Sequence, residues 1–251
     1  MTDDELDRYA RHIVLPQIGG AGQRKLKAAR IAVVGAGGIG SAAIPALAGA
    51  GVGRLTIIDG DVVDLSNLQR QPLYRSDEIG RSKAELAAAF VAERNPHVSV
   101  RAVAVRIDAA NAEALLANHD LILDGTDNFA TRLLVSDTAV ELGIPLLSAA
   151  AQMFQGQVAL LNAKPCYRCF VGDAFDADDC DTCAELGVLG ALTGTVGHFA
   201  ALLAIRAIVG IAPDAAGSLH LFDGLSLSWR TLRLVADPAC RICGGVYATD
   251  G

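Results

Sequence analysis

Short, almost wholly apolar runs alternate with longer stretches of helical period over the first 150 residues. The runs at 31–35 (IAVVG), 54–59, 98–105, 120–124 and 145–149 have the length and β-branched content of strands buried on both faces. Between them, residues 41–50, 82–93, 110–118 and 129–142 repeat their apolar positions with helical spacing. At the N-terminus Leu6, Tyr9 and Ile13 predict an amphipathic helix over 3–14. Gly19, Gly20 and Gly22 predict a turn, and residues 25–29 a short basic helix. Pro45 falls inside a predicted helix and should kink it or cost stability. Strand–helix alternation of this kind specifies a mostly parallel, Rossmann-like α/β sheet with helices on both faces. Past Gln152 the strands at 157–162, 219–223 and 228–235 follow shorter connections, which predicts antiparallel additions to the same sheet. A long apolar helix at 190–209 lies between them. No repeat or linker divides the chain, so residues 1–251 are read as one domain.

Composition narrows the class. Hydrophobic residues make up 52% and charged residues 20%, enough apolar material for a large core. The net charge of −7, with no basic run, argues against a nucleic-acid or anionic-membrane partner. The uncharged stretches 31–53 and 186–205 are long enough to span a bilayer, but seven glycines interrupt the first and four the second. The charged N-terminus has no apolar signal-like core, so a reducing cytoplasm is the expected location.

Three places carry candidate chemistry. Gly35-Ala-Gly37-Gly38-Ile-Gly40 follows a strand and opens a helix, where backbone N–H groups can face phosphate. Asp59 ends the next strand, positioned to bind ribose hydroxyls. A dinucleotide would not need the cations Arg70 and Lys83 that follow, whereas a triphosphate would. Asp127 and Asn128 follow the strand at 120–124; one can cap the next helix while the carboxylate holds Mg²⁺. All six cysteines fall in CxxC pairs. Cys166/Cys169 and Cys240/Cys243 sit beside Pro or Gly in knuckle-like turns and are paired as one zinc site. Cys180/Cys183 lie in an acidic loop that disfavours the thiolate, so they are read as bystanders.

Over nearly its whole length the sequence resembles the bacterial sulfur-carrier adenylyltransferases of molybdopterin and thiamine-thiazole synthesis (ThiF/MoeB/HesA-like), relatives of ubiquitin-activating enzymes. The shared runs include Arg8-Tyr9-x-Arg11, Gly35–Gly40, Asp59-x-Asp61, Ser66-Asn67-Leu-Gln-Arg70-Gln71 and Lys83. They continue through Asp124-x-Thr126-Asp127-Asn128, Pro165-Cys166-Tyr167-Arg168-Cys169, Cys183 and Cys240-x-x-Cys243-Gly244. The resemblance implies ATP-dependent adenylation of the C-terminal Gly-Gly carboxylate of a small ubiquitin-like carrier. It implies that Asp59 holds the ribose, Asn67, Arg70 and Lys83 the phosphates, and Asp127 the Mg²⁺, with Asp61 and Asn128 in the same site. Arg11 would reach the triphosphate of a neighbouring subunit in a homodimer. Residues 1–150 would then be the nucleotide half and 151–251 the carrier-binding and zinc half. Cys183 falls where some relatives bond covalently to the carrier.

Pro45 and Cys180 depart from the family pattern. The chain extends only eight residues past Cys243, leaving no room for the rhodanese-like domain of some relatives. A separate sulfurtransferase is therefore the expected sulfur donor. Two other classes stay open on the sequence: an NAD-dependent oxidoreductase, resting on the glycines and Asp59, and a non-catalytic zinc scaffold for a ubiquitin-like partner.

Overall fold

The computed structural model describes residues 1–172, 186–211 and 216–244. Cys180 and Cys183 lie outside the described residues. Eight strands form one sheet in the order β3-β2-β1-β4-β5-β6-β7-β8. Strands β1 (Arg30–Val34), β2 (Arg54–Ile58), β3 (Ser99–Val103), β4 (Leu121–Asp124) and β5 (Leu146–Gln152) are parallel. Strands β6 (Gln155–Leu161), β7 (Ser218–Asp223) and β8 (Ser228–Arg233) continue the sheet antiparallel. The expected mixed architecture is therefore present.

Alternate residues of β1 enter opposite cores, which explains why the central strands read as unbroken apolar runs. Ile31 and Val33 pack with α4 (Gly40–Gly49), α5 (Lys83–Arg94) and the long helix Gly190–Val209. Ala32 and Val34 pack with α6 (Ala112–Leu116) and α7 (Phe129–Leu142) on the other face. The chain winds outward from β1 to β3, then crosses back to place β4 on β1's other side. That reversal opens a crevice beyond the strand C-termini, between β1 and β4, where α/β sheets bind ligands.

Several expectations need correction. The N-terminal helix is two, α1 (Asp3–Arg8) and α2 (Ala10–Ile13), broken at buried Tyr9. Tyr9 packs over Gly51, and its hydroxyl accepts a 2.8 Å hydrogen bond from Asn95 Nδ2. Leu6 is exposed, while Glu5 is buried. Glu5 takes the inward position because Lys27 Nζ donates to Oε2 at 2.6 Å and Thr2 N donates to it at 2.7 Å. Gly19, Gly20 and Gly22 form the first turn of α3 (Gly19–Ala28) instead of a loop; Gly22 lets that turn approach Val209. Helix α4 continues through Pro45. The lost hydrogen bond is outweighed by burial of Ile44, Leu47 and Ala48 on either side. The polar stretch 60–80 contains 3-10 turns at Leu65–Asn67 and Ser76–Glu78. Helix α8 (Tyr167–Val171), which no periodicity announces, carries Cys169.

Gly190–Val209 is α9. It is long and apolar enough to cross a membrane by length and composition, yet half of its apolar window is buried in this fold. It packs on α4, β5 and β6. Gly197 permits that approach, since a Cβ there would meet the Ile39 carbonyl and stand 2.9 Å from Ala42 Cβ. Gly194, one turn earlier, faces open space.

Two predictions follow from this packing. Gly194→Ala should stabilise the protein by roughly 0.5–1 kcal/mol through helix propensity, whereas Gly197→Ala should destabilise it by about 1–3 kcal/mol through overpacking. Urea melts of both variants check the opposite signs. Glu5 is held down to about 2, first by its hydrogen bond from Lys27. Its ionised form therefore stabilises the fold above the ordinary 4.5, and this contribution fades as pH falls toward about 2. Glu5→Gln should cost about 1–3 kcal/mol at pH 7, with the deficit closing across that acid window.

Candidate active site at the strand ends

Strand register assembles the site. Val34 pairs with Ile58 of β2 and with Asp124 of β4, so three strands end level. The turns that follow meet backbone to backbone. Gly35 has φ +89°, and a Cβ there would lie 3.1 Å from Gly125 O and Thr126 N. Gly40, the last glycine of the expected ligand-binding turn, lies outside the cleft wall. It is buried, and a Cβ would collide with the Gly35 carbonyl, so its glycine closes the turn onto α4.

A cleft of about 920 Å³ opens above these turns. Its walls include Gly35, Gly37, Gly38, Asp59, Asp61, Asn67, Arg70, Lys83, Asp127 and Asn128. All the remaining candidates for nucleotide binding within one chain thus converge on one space. Arg11 does not; it is exposed on α2 and absent from this chain's cleft wall.

Asp59 follows β2 and accepts from Ala36 N at 2.7 Å and from Asp61 N at 2.8 Å. Burial raises its pKa, an effect opposed by those two N–H donors and by Lys83, and reinforced by Asp61. Lys83 opens α5 and is buried, with Nζ 3.5 Å from Asp61 Oδ2. Arg106 takes Asp61's other oxygen at 3.0 Å. Asp61 therefore holds two cations at the cleft's edge. Tyr74, buried beneath, donates to the Ala36 carbonyl at 2.7 Å and fixes the glycine turn against the start of α5.

Arg70 differs. Its Nη1 donates to the Ser66 carbonyl at 2.9 Å, and among the described residues no carboxylate lies within ion-pair distance of it. The Leu65–Asn67 turn that presents it is capped by Asp64, whose carboxylate accepts from Ser66 N and Oγ. Those hydrogen bonds hold Asp64 below the usual carboxylate range. At the opposite wall Asn128 caps α7, accepting from Thr131 N at 2.8 Å. Asp127 is exposed beside it, leaving its carboxylate for a ligand.

In the sequence Arg132 goes unremarked, and Gln71 and Asp124 stand only within the shared runs, with no role. Arg132 is buried in the cleft wall and donates to the carbonyls of Thr126 and Ala149 and to Ser148 Oγ. It braces the turn carrying Asp127 from below. Asp124 accepts from Thr126 N and Oγ1 through one oxygen, while its other is buried without a donor. An Arg four residues past an N-cap carries no periodic or motif signal, so only the tertiary structure reveals its burial.

The four cysteines expected to pair do so. Cys166, Cys169, Cys240 and Cys243 place their Sγ atoms within 4.8 Å of one another. Neighbouring pairs stand 4.0, 3.6 and 3.3 Å apart. Tetrahedral thiolates at about 2.3 Å from a metal stand about 3.8 Å apart, so the donor set fits. Burial pushes the Cys166 thiol up, and a bound cation would reverse that cost. The cluster is anchored through α8, where Arg168 holds Asp137 of α7 bidentately at 2.7–3.1 Å.

The chain is similar to the sulfur carrier protein adenylyltransferase of Thermus thermophilus, at 42% identity covering 97% of this chain and 92% of that protein. It is 38% identical to the molybdopterin-synthase adenylyltransferase of Escherichia coli, covering 97% and 98%. Among solved structures, E. coli MccB with ATP superposes with a TM-score of 0.81 over 94% of this chain and 73% of that one, at 22% identity. That likeness supports the fold. The ThiF family profile matches residues 9–242, and with relatives this similar along their full length, the chain belongs to the ThiF family.

Proposed function

We propose that this protein adenylates the C-terminal carboxylate of a small sulfur-carrier protein at the expense of ATP. The observation that carries this reading is a cleft at the strand ends in which four cations (Arg70, Lys83, Arg106 and Arg132) stand among five carboxylates (Asp59, Asp61, Asp64, Asp108 and Asp127) around a glycine turn. Cations alone would suit a free triphosphate; carboxylates interleaved with them suit a nucleotide accompanied by a divalent cation. Neither the oxidoreductase nor the scaffold reading accounts for these groups together.

The chemistry follows from the parts. The carrier's terminal carboxylate is ionised at neutral pH and needs no general base. One carboxylate oxygen attacks the α-phosphorus of ATP, the α-phosphorus–oxygen bond to the β-phosphate breaks, and acyl-adenylate and pyrophosphate result. Asp59 would hold the ribose hydroxyls, with the Gly35–Gly38 backbone beside the phosphates. Asn67, Arg70 and Lys83 would bind the triphosphate, with Lys83 Nζ, now 3.5 Å from Asp61 Oδ2, turning to phosphate oxygens. Catalysis then rests on positioning and on charge stabilisation at the leaving group. Asp127 would hold Mg²⁺, with Asp61 and Asn128 close by; the ion supplies charge neutralisation between phosphates.

Arg11, exposed and outside its own chain's cleft wall, fits a role at a second subunit's triphosphate in a homodimer. The cysteine cluster fits structural Zn²⁺, since four thiolates leave no open position. The antiparallel half would receive the carrier. Any thiocarboxylate made afterwards needs sulfur from a separate sulfurtransferase. The product would serve molybdopterin or thiamine synthesis in the cytoplasm.

ATP–pyrophosphate exchange with small Gly-Gly-tailed carriers tests the central claim. Exchange should appear with a cognate carrier and vanish when its last glycine is removed; no exchange from folded protein with any carrier would refute adenylation. In that assay Arg70→Ala should lose at least about tenfold and Asp127→Ala more, because both face developing phosphate charge. Wild-type turnover in either variant would return that residue to a surface role. Elemental analysis should find one zinc per chain, retained in Cys180→Ser/Cys183→Ser protein and lost in Cys166→Ser. The reverse pattern would overturn the pairing.

A further inference from the structure

Of the four cations in the cleft wall, Arg70 and Lys83 are assigned to the phosphates and Arg132 braces the turn before Asp127. Arg106 is left without a role. It lies on the loop between β3 and α6, and its side chain is 84% exposed. Its Nη2 donates to Asp61 Oδ1 at 3.0 Å, and an ion pair this exposed contributes little to stability. Yet the chain makes room for it. A Cβ on Gly60 would stand 2.6 Å from Arg106 N and 2.7 Å from Arg106 Cγ. Gly60 does not adopt a positive φ, so its missing side chain answers to this close approach. The stem of Arg106 therefore lies against the loop that joins Asp59 to Asp61, and Asp61 holds its far end.

Strand order sets out a nucleotide along the cleft. The glycine turn follows β1, Asp59 follows β2, and β3 is the next strand outward. Asp59 N donates to the Val103 carbonyl at 3.1 Å, which ties the β2 end to the β3 end. Neighbouring strands lie about 4.8 Å apart. A nucleotide with its phosphates at the β1 turn and its ribose at Asp59 thus carries its base toward the β3 end. The cleft wall there is Val105, Arg106 and Ile107. Val105 is 45% exposed and Ile107 half-buried, so two aliphatic side chains face this space. No phosphate needs a cation so far from the glycine turn. A purine offers something else, a flat π face on which a guanidinium stacks.

We propose that Arg106 stacks its guanidinium on the base of ATP while Asp61 holds the plane in place, making Arg106 a determinant of purine over pyrimidine nucleotides. This rests on the nucleotide-binding part of the adenylation reading. It gives the exposed ion pair a purpose, because the pairing fixes a flexible side chain before the base arrives. It also leaves Asp61 with a cation when Lys83 turns to the phosphates.

The test is calorimetric binding of MgATP and MgCTP, without carrier, to wild-type protein and to Arg106→Ala, Arg106→Lys and Arg106→Tyr. The side chain is exposed, so all three variants should fold, and circular dichroism checks this. Arg106→Ala should weaken ATP binding about tenfold and CTP binding about twofold or less. Arg106→Lys keeps the charge opposite Asp61 but has no plane, and should stay at least about fivefold weaker for ATP. Arg106→Tyr restores a flat face without the charge and should recover ATP binding to within about threefold of wild type. Equal losses for the two nucleotides, repaired by lysine and not by tyrosine, would make Arg106 a partner of phosphate or of Asp61 alone and overturn the stack. Unchanged ATP affinity in Arg106→Ala would overturn it as well. Absence of pyrophosphate exchange with every carrier, from protein that still binds ATP with this pattern, would remove adenylation and leave the stack standing. Folded wild-type protein that binds no ATP would remove both.

Discussion

Everything at the site depends on two polypeptide turns touching with no side chain between them. Because β1 and β4 are neighbours that end level, the turn after Gly35 and the turn after Asp124 must share the same few ångströms. Any Cβ at Gly35 would press on the Gly125 carbonyl and the Thr126 N–H, and Gly35 also needs its positive φ. Only with that contact intact do Asp59, from the β2 end, and Asp127, beyond β4, face each other across one space. The supports around it serve the same contact: Tyr74 ties the first turn to α5, and Arg132 ties the second to β5.

The cleft is electrostatically unsettled. Asp61 keeps Lys83 and Arg106 occupied, while Arg70 and Arg132 find only uncharged acceptors among the described residues. Asp59 is raised by burial, and Asp124 keeps an oxygen without a donor. Such groups are costly in isolation, and those in the cleft wall would be relieved by a ligand carrying phosphates, hydroxyls and a divalent cation. A site optimised for its own stability would pair them internally. Such unpaired groups are a price set by binding rather than a defect of packing.

What the sequence disclosed divides along physical lines. The parallel half was readable because strands buried on both faces must be apolar throughout and their helices periodic, so 129–142 and 190–209 match the observed helices to the residue. The glycine turn, Asp59 and Asp127 were readable because each follows a strand end, where side chains face a crevice, and Arg70 and Lys83 because a triphosphate needs cations that a dinucleotide does not. Leu6 was read as inward-facing and Glu5 drew no notice, because hydropathy scores a carboxylate as exposed; the burial of Glu5 depends on Lys27, twenty-two positions away. The glycines at 19–22 were misjudged for the converse reason: turn chemistry looks the same when a helix needs small residues for packing. Gln71 and Arg132 left no trace in periodicity, because what marks them is burial beside a cavity, a property of the whole fold.

The cysteine cluster, remote from phosphate chemistry, bears on the active site through α7. That helix begins at the Asn128 cap, next to Asp127, and Arg132 projects from its first turns into the cleft wall. Ser136 and Asp137, farther along, receive Tyr167 N and the Arg168 guanidinium from the cysteine-bearing α8. Fourteen residues at about 1.5 Å each make a rod of about 21 Å with the phosphate-facing turn at one end and the knuckle gripping its middle. A metal closing the four thiolates would hold α8, and through Tyr167 and Arg168 the middle of α7, the helix that begins beside Asp127. The cysteine-bearing α8 thus braces the α7 face, as α9, laid across α4 and β5, braces the other.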